Sequence, residues 1–466
     1  YDTVLAGETV GEAALLTGRP QGHTVYAARD SELVQLSPAS FELLLKRNTR
    51  AIYNVSRILG DRLARAPLSR DPARTPIRCI ALIPAGPQVR LQDFARFLEV
   101  SVREHGATLH LNSDLVGRKL QSATIANAGE NEAAGLRLTQ WLSEQEDQWR
   151  FLLYEGDAHW SAWSERCVRQ ADEVVVVTDT DADSDLAAVV ARLARVRQRW
   201  SLALWHAADL RRPRGTENWL KGNDAHSVFH LRAGQRADFE RLGRILTGNA
   251  ISLVLAGGGA RGFAHLGVLR AMEELNIPID MVGGTSMGAP IAGLVAQGCD
   301  AGEVASRSRR AHRKIIDYTL PIASLISGKR ISSSIQNETG DWDIEDFWLP
   351  FFCVSANLTT GQPVVHRRGS SWRAIRTSVS IPGVLPPVPS AGDLLVDGAV
   401  LNNLPIDVMR DLNPFGSVIA VDVTPPTGPA AGADYGAGLS GWRLLTEKLL
   451  PWRSAPPVPG MANTIP

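Results

Sequence analysis

Between about residues 77 and 250, short apolar runs alternate with longer amphipathic stretches. The apolar runs have the length of strands, and the stretches between them repeat their apolar residues at helical spacing. The pattern predicts strands over 79–83, 108–111, 151–154, 173–177 and 202–205, and helices such as 91–104 and 186–199. Strands that alternate with helices form parallel, helix-covered sheets, so residues 77–249 are predicted to be an α/β domain.

The same alternation continues at 251–256, an apolar run that ends in a glycine-rich turn. The turn consists of Gly257, Gly258, Gly259, Ala260, Arg261 and Gly262, and the helix predicted after it carries Ala264, Val268, Met272 and Leu275 on one face. Such a turn leaves backbone N–H groups unpaired at a helix start, where they bind a phosphate or an oxyanion. The glycine spacing is also typical of dinucleotide-binding folds, for which only Asp280 could serve as the acidic ribose partner.

A second tight turn follows the predicted strand end at 281–283. It places Ser286 between Gly284 and Gly288, before a helix rich in small residues. A sharp strand-to-helix turn lifts a serine out of the chain and needs glycine on both sides, because a Cβ there would meet neighbouring backbone. The N–H groups of a helix start favour negative charge on the serine. A tight packing turn is the alternative, but a serine esterase accounts for both turns and nucleotide binding accounts for one.

The histidines after Ser286 do not follow the order of α/β-hydrolases, in which histidine comes last. His312 lies in a charged run typical of a solvated helix face, and His366 lies at a predicted strand end. No histidine follows Asp397. Each of the two histidines stays a candidate base.

Asp397 is the favoured candidate for the base. It ends a predicted strand at 394–396 and is followed by Gly398, which presents its carboxyl at a tight turn. A partly desolvated aspartate has a raised pKa and accepts a serine proton, so the pattern predicts a Ser/Asp site. The alternative is a turn-forming Asp-Gly pair without chemistry.

These three motifs, in this order, resemble the patatin-like phospholipase family over residues 250–424. Further similar segments are 374–387 and 397–405, and the segments 280–286 and 344–350 resemble the neuropathy target esterase group within that family. The resemblance implies a three-layer α/β/α catalytic domain with Ser286 as nucleophile, Asp397 as base and the Gly257 to Gly262 loop as oxyanion hole. It implies hydrolysis of phospholipid, lysophospholipid or neutral acyl esters without metal or cofactor. Ala256 and Ala399 replace glycines that the group often has, and neither change removes a reacting group.

Residues 1–66 resemble the second half of a cyclic-nucleotide-binding domain, a partial β-rich unit followed by a helix over 38–63. Gly11 and Glu12 match the family, but Gln21 stands where an arginine grips the cyclic phosphate. A neutral amide cannot make the charged bidentate contact, although Arg19 could replace it by a register shift. We therefore expect a degenerate packing or regulatory module and no cyclic nucleotide as a partner.

Composition limits the partners. The chain has 466 residues, enough for two to four domains, and its 49 basic and 49 acidic residues give zero formal net charge, so no nucleic acid is expected. The first strand of the α/β domain lacks the G-K-[ST] of a phosphate-binding loop, and the acidic run 179–185 lacks the glycine and glutamate of a calcium loop. The four cysteines are far apart, which indicates a reducing compartment and no metal cluster.

No apolar run is long enough to span a membrane and no signal peptide is evident, so we expect a cytoplasmic protein that can associate peripherally with membranes. Because the chain begins at Tyr1, we expect that an upstream segment has been lost. Residues 67–76 are predicted to be a linker. Residues 425–466 are predicted to be mostly disordered, except for an amphipathic helix over 439–452 that lies on a membrane or docks on the chain itself. The basic run 309–314 contacts phospholipid head groups or is a solvated face.

The sequence thus favours a serine esterase acting on phospholipids or lysophospholipids at a membrane surface. Two alternatives remain open. One is a serine peptidase, and the other is a signalling module with a nucleotide-sensing first domain and a vestigial hydrolase site.

Overall fold

The computed structural model of the chain describes residues 9–18, 25, 33–65, 77–129, 132–180, 185–196, 199–312, 316–320, 322 and 324–424. The predicted linker and the predicted tail, with its amphipathic helix, lie outside these residues, as do Arg19 and Gln21. The chain divides into two compact units, one of Tyr1–Thr178 with Ala182–Ser201 and one of Asp179–Asp181 with Leu202–Pro466.

The first unit contains a parallel sheet with strands in the order β2-β3-β1-β4. Its strands are β1 (Cys79–Pro84), β2 (Thr108–Leu111), β3 (Phe151–Glu155) and β4 (Glu173–Asp179). Its helices are α1 (Glu12–Thr17), α2 (Pro38–Arg47), α3 (Thr49–Arg65), α4 (Leu91–Arg103), α5 (Ser113–Lys119), α6 (Ala133–Gln148), α7 (Ala162–Gln170) and α8 (Leu186–Val196). β1 and β3 are buried along their whole length, as expected for parallel strands covered on both faces.

The helix predicted over 38–63 is broken at Asn48. This residue has an extended backbone between α2 and α3, and its side-chain Oδ1 accepts a hydrogen bond from Arg50 N at 3.1 Å. The contact is an N-cap, in which a short polar side chain satisfies the first N–H groups of a new helix. The prediction of a single helix was therefore wrong.

The second unit contains a seven-stranded sheet in the order β11-β12-β9-β8-β7-β13, with β10 also paired to β9. The strands of this sheet are β7 (Ile251–Leu255), β8 (Met281–Thr285), β9 (Phe351–Asn357), β10 (Gln362–His366), β11 (Val388–Ser390), β12 (Asp393–Asp397) and β13 (Ser417–Val421). The unit also contains β5 (Trp200–His206), which begins in the first unit, and β6 (Val228–Arg232). Its helices are α9 (Thr216–Leu220), α10 (Arg236–Leu246), α11 (Ala264–Glu274), α12 (Gly288–Ala296), α13 (Ala301–Ala311), α14 (Lys329–Thr339), α15 (Ser371–Ser378) and α16 (Ile406–Leu412).

Alternate residues of β7 face opposite sides of this sheet. Leu253 and Leu255 pack into one core with α11 to α15, whereas Val254 packs into another core with Met409 of α16 and Ile245 of α10. Helices therefore cover both faces. The predicted α/β class with a three-layer catalytic region is confirmed.

A buried ion pair ties the start of this sheet to α10. Asp280 is fully buried, and its carboxylate accepts three hydrogen bonds from the Arg244 guanidinium, at 2.7–3.1 Å, and a fourth from Ile251 N at 2.9 Å. The carboxylate thus has no free side for a ribose. This argues against the nucleotide-binding alternative considered from the glycine spacing.

We predict that Asp280→Asn lowers the free energy of unfolding by about 3 kcal/mol, because removing one partner leaves the Arg244 charge buried and unpaired. Urea unfolding followed by circular dichroism measures the change. Glu274→Gln is the control, since it removes the exposed Arg270–Glu274 pair and should change the free energy by less than about 1 kcal/mol. Equal effects of the two variants would contradict the prediction.

Candidate active site

Ser286 lies in the turn between β8 and α12, with a backbone φ of 50°. This left-handed conformation is rare for a residue with a side chain, and such strain concentrates at functional sites. It is held by the flanking chain, since Ala289 N donates to Ser286 O at 3.0 Å.

The two glycines around Ser286 let the turn pack directly on the end of β7. A Cβ at Gly284 would lie 2.7 Å from the carbonyl oxygen of Leu255, and a Cβ at Gly288 would overlap the same oxygen. Because the obstacle is backbone, it cannot move aside as a flexible side chain would. Glycine at both positions is therefore a steric requirement of the turn.

Asp397 reaches Ser286 because two strand ends meet on β9. β8 pairs with β9 up to Thr285 opposite Val354, and β12 runs antiparallel to β9 and ends with Asp397 opposite Ser355. Ser286 follows directly on the end of β8. Its Oγ donates to Asp397 Oδ2 at 2.6 Å, although the two residues are 111 positions apart.

Both members of this pair are almost inaccessible, with Ser286 5% and Asp397 1% exposed. Burial raises the pKa of Asp397 to about 6, and the hydrogen bonds from Ser286 Oγ and Ala399 N partly oppose that rise. The carboxylate is therefore a stronger base than a solvated aspartate, yet it is still mainly ionised at neutral pH.

The glycine-rich loop lies against the serine, but its six N–H groups are not equivalent. A Cβ at Gly257 would lie 2.9 Å from Ser286 Cβ, so this residue forms the wall of the site. The Gly257 N–H donates to Asn403 O, and the Arg261 N–H donates to Gly258 O. Gly262 is buried beneath Met287, which follows the serine.

The N–H groups left over are those at the start of the short 3-10 helix Gly259–Phe263. Within the described part of the chain, the N–H groups of Gly258, Gly259 and Ala260 have no protein acceptor, and neither does that of Met287. Such groups are suited to an oxyanion. Of the six loop residues named in the sequence analysis, Gly258, Gly259 and Ala260 are therefore the ones whose N–H groups best fit that role.

Three further polar side chains brace the site and were not singled out from the sequence. Ser378 accepts a hydrogen bond from Ser286 N at 3.0 Å and donates to Val354 O at 2.6 Å. His265 bonds through Nε2 to Ala256 O at 2.8 Å, and Asn403 Nδ2 donates to Gly257 O. Segments 374–387 and 397–405, which contain Ser378 and Asn403, were noted only by resemblance, and none of the three contacts leaves a local signal.

The two histidines considered as bases have other partners. His366 Nε2 bonds to Ser355 Oγ at 2.7 Å, and His312 Nδ1 lies 2.7 Å from Ser308 O in its own helix. The Ser286 Oγ bonds instead to Asp397. Among the residues that the structure describes, no cluster of three or more His, Cys, Asp or Glu side chains is arranged to hold a metal.

In the same described residues, no helix has the length and apolar character of a membrane span.

We predict that Gly288→Ala lowers the free energy of unfolding by about 3 kcal/mol, because the added methyl overlaps the Leu255 carbonyl. Gly267→Ala in α11 is the control, since its methyl would meet no atom within 4 Å and should stabilise the helix by up to about 1 kcal/mol. Urea unfolding of both variants measures the difference. A Gly288→Ala protein as stable as Gly267→Ala would contradict the steric argument.

Comparison with known proteins matches two regions of the chain to family models. Residues 253–410 match the model of the patatin-like phospholipase family, and residues 76–237 match the Neuropathy Target Esterase family P-loop like domain.

Curated relatives are similar over 98% of this chain. Patatin-like phospholipase domain-containing protein 6 of Homo sapiens and Neuropathy target esterase sws of Drosophila melanogaster are each 35% identical to it, and patatin-like phospholipase domain-containing protein 7 of Rattus norvegicus is 33% identical. The chain spans 35–37% of the length of these relatives. The chain thus contains a domain of the patatin-like phospholipase family at residues 253–410, preceded by a Neuropathy Target Esterase family P-loop like domain at residues 76–237.

Proposed function

We propose that this chain hydrolyses acyl ester bonds of phospholipids or lysophospholipids, with Ser286 as the nucleophile and Asp397 as the general base. The observation that carries the proposal is the 2.6 Å hydrogen bond between the two buried side chains. The relatives' names point to the same class of substrate.

In the first half-reaction, Asp397 takes the proton from Ser286 Oγ as the oxygen attacks the ester carbonyl. The negative charge that develops on the carbonyl oxygen is stabilised by the N–H groups of Gly258, Gly259 and Met287 and by the start of α12. The C–O bond to the alcohol then breaks, and the leaving oxygen receives the proton from Asp397. An acyl group remains on Ser286.

In the second half-reaction, water attacks the acyl carbon and gives a proton to Asp397. The bond to Ser286 Oγ breaks, the serine recovers the proton, and a fatty acid leaves. Asp397 thus serves as base and acid in turn, a role that its raised pKa suits because a base works best when its pKa is near the working pH.

We predict that Ser286→Ala or Asp397→Asn reduces turnover of p-nitrophenyl esters by roughly 10³-fold or more. His312→Gln tests the alternative base and should keep most of its activity, because His312 hydrogen-bonds to a carbonyl in its own helix and its ring contacts Phe263 rather than Ser286 or Asp397. Full activity of purified Ser286→Ala would reject the proposal.

The same proteins distinguish the alternative functions. Cleavage of peptides in preference to long-chain esters would indicate a serine peptidase. Binding of a cyclic nucleotide by calorimetry, without labelling of Ser286 by a fluorophosphonate probe, would indicate a signalling module with a vestigial site.

We predict that kcat/KM for a soluble ester rises about tenfold per pH unit below pH 6 and levels off above it. The sign follows from the role of Asp397, because only the ionised carboxylate accepts the serine proton and its pKa lies at about 6. Initial rates from pH 4.5 to 8 test this, with circular dichroism at each pH as the control for folding. A profile that is flat across pH 6 would show that this carboxylate is not the base.

A further inference from the structure

A small hairpin with an exposed apolar tip follows α13. Thr319 N donates to Leu325 O at 3.1 Å and Ser327 N donates to Asp317 O at 2.8 Å, which pairs the two arms. Tyr318 lies in the first arm, where it pairs with Ile326, and Leu320 and Ile322 lie beyond it; the three side chains are 81%, 78% and 92% exposed. Large apolar side chains grouped at such exposure mark an interaction surface, because a stable monomer rarely leaves them in water.

The base of the hairpin is held firmly. The carboxylate of Asp317 accepts hydrogen bonds from Ser327 Oγ and from the N–H groups of Gly328 and Arg330, where α14 begins. These bonds also lower the pKa of Asp317, so it stays ionised and engaged. The apolar tip is therefore displayed by an ordered base.

The second arm of the hairpin is anchored on an element that builds the candidate active site. Before the hairpin, at the end of α13, the ring of His312 packs edge to face, at 4.9 Å between centroids, on Phe263 of the 3-10 helix that begins in the glycine-rich loop. In the second arm, Leu325 N and Ile326 N donate to Gly383 O and Val384 O, each at 3.0 Å.

The segment that contains Gly383 and Val384 is part of a stretch of chain that bonds to both Ser286 and Asp397. It follows α15, whose Ser378 bonds to Ser286 N, and its Ser380 O accepts the N–H of Asp397 at 2.9 Å. The hairpin is thus linked, through Leu325 and Ile326, to the side of the site that holds Ser286 and Asp397.

Basic side chains precede and follow the hairpin in the sequence. Arg309 lies in the last turn of α13 and Lys329 in the first turn of α14; both are exposed, and neither forms an ion pair within the described residues. Arg330 is also exposed and donates to Ile316 O at 3.1 Å. Apolar side chains bordered by cations complement a phospholipid bilayer, in which phosphates lie above an apolar interior.

We propose that this hairpin, whose described residues are 316–320, 322 and 324–327, is the surface by which the chain docks on a phospholipid bilayer, through the exposed side chains of Tyr318, Leu320 and Ile322. The inference rests on the proposed function, because it identifies where the Ser286 site meets its lipid substrate. The three exposed side chains insert at the level of the head groups, and Arg309 and Lys329 contact phosphates. Docking there brings the bilayer beside the site.

The test compares Leu320→Asp/Ile322→Asp with Leu275→Asp, each made in the Ser286→Ala background so that vesicles are not hydrolysed. Leu275 is a matched control because it is also an exposed leucine, with 69% of its surface accessible. It lies near the start of α13, where Ala301 N bonds to Glu273, whereas the hairpin follows the end of this helix, which is about 16 Å long. Flotation with vesicles of phosphatidylcholine and phosphatidylserine measures binding.

We expect the double variant to lose at least about tenfold in vesicle binding, because binding scales with the apolar area that enters the membrane. Leu275→Asp should bind as the parent does. With Ser286 restored, the double variant should hydrolyse vesicle phospholipid at least about tenfold more slowly and keep its rate on p-nitrophenyl butyrate within about twofold, since a soluble ester needs no docking.

Equal vesicle binding by the double variant and its parent would overturn the inference, and so would an equal loss in Leu275→Asp. A parent protein that is dimeric by light scattering, with a monomeric double variant that still binds vesicles, would assign the hairpin to a second copy instead. Failure of the proposed function has a different result, namely ester turnover by Ser286→Ala while the hairpin variants still lose vesicle binding.

Discussion

The candidate site depends on the meeting of two strand ends along β9. β8 pairs in parallel with the first part of β9, and its carboxyl end lies opposite Val354. β12 pairs antiparallel with the last part of β9, and its carboxyl end lies opposite Ser355. A residue just after β8 and the last residue of β12 are then neighbours whatever their distance in sequence. Sheet register, rather than any local property of Ser286 or Asp397, brings hydroxyl and carboxylate together.

That juxtaposition places a carboxylate in the interior, where its charge is costly unless it is hydrogen-bonded. Asp397 has two donors, Ser286 Oγ on one oxygen and Ala399 N on the other. They compensate only partly, since its pKa still rises to about 6. The incomplete compensation is useful for chemistry, because a fully satisfied carboxylate with a low pKa would be a poor base. In contrast, Asp280 is equally buried but has an arginine partner, and its role is structural.

The parts of the site that could be predicted from sequence are those imposed by local backbone geometry. Glycines beside Ser286 and after Asp397 are needed because backbone carbonyls lie against them, so they leave a visible pattern. Ser378 and Asn403 bond to backbone atoms 92 and 146 positions away, and His265 bonds to Ala256 O across the glycine-rich loop. A lone serine, histidine or asparagine carries no local pattern of such contacts. Likewise, the dinucleotide hypothesis assigned Asp280 to a ribose, but its partner is Arg244 of α10, which precedes it by 36 positions and leaves no signal beside Asp280 in the sequence.

Burial of the reacting pair creates a second requirement, which is access. Ser286 and Asp397 are nearly closed to water, so under the proposed function an acyl ester has to reach them from the surface of the protein. The proposed docking of the hairpin would meet that requirement, because Leu325 and Ile326 bond to the segment that follows Ser380, and a lipid beside the hairpin need not cross bulk water. Under the proposed function, the burial that raises the pKa of Asp397 would thus make a hydrophobic surface beside the site an advantage for lipid esters over soluble ones.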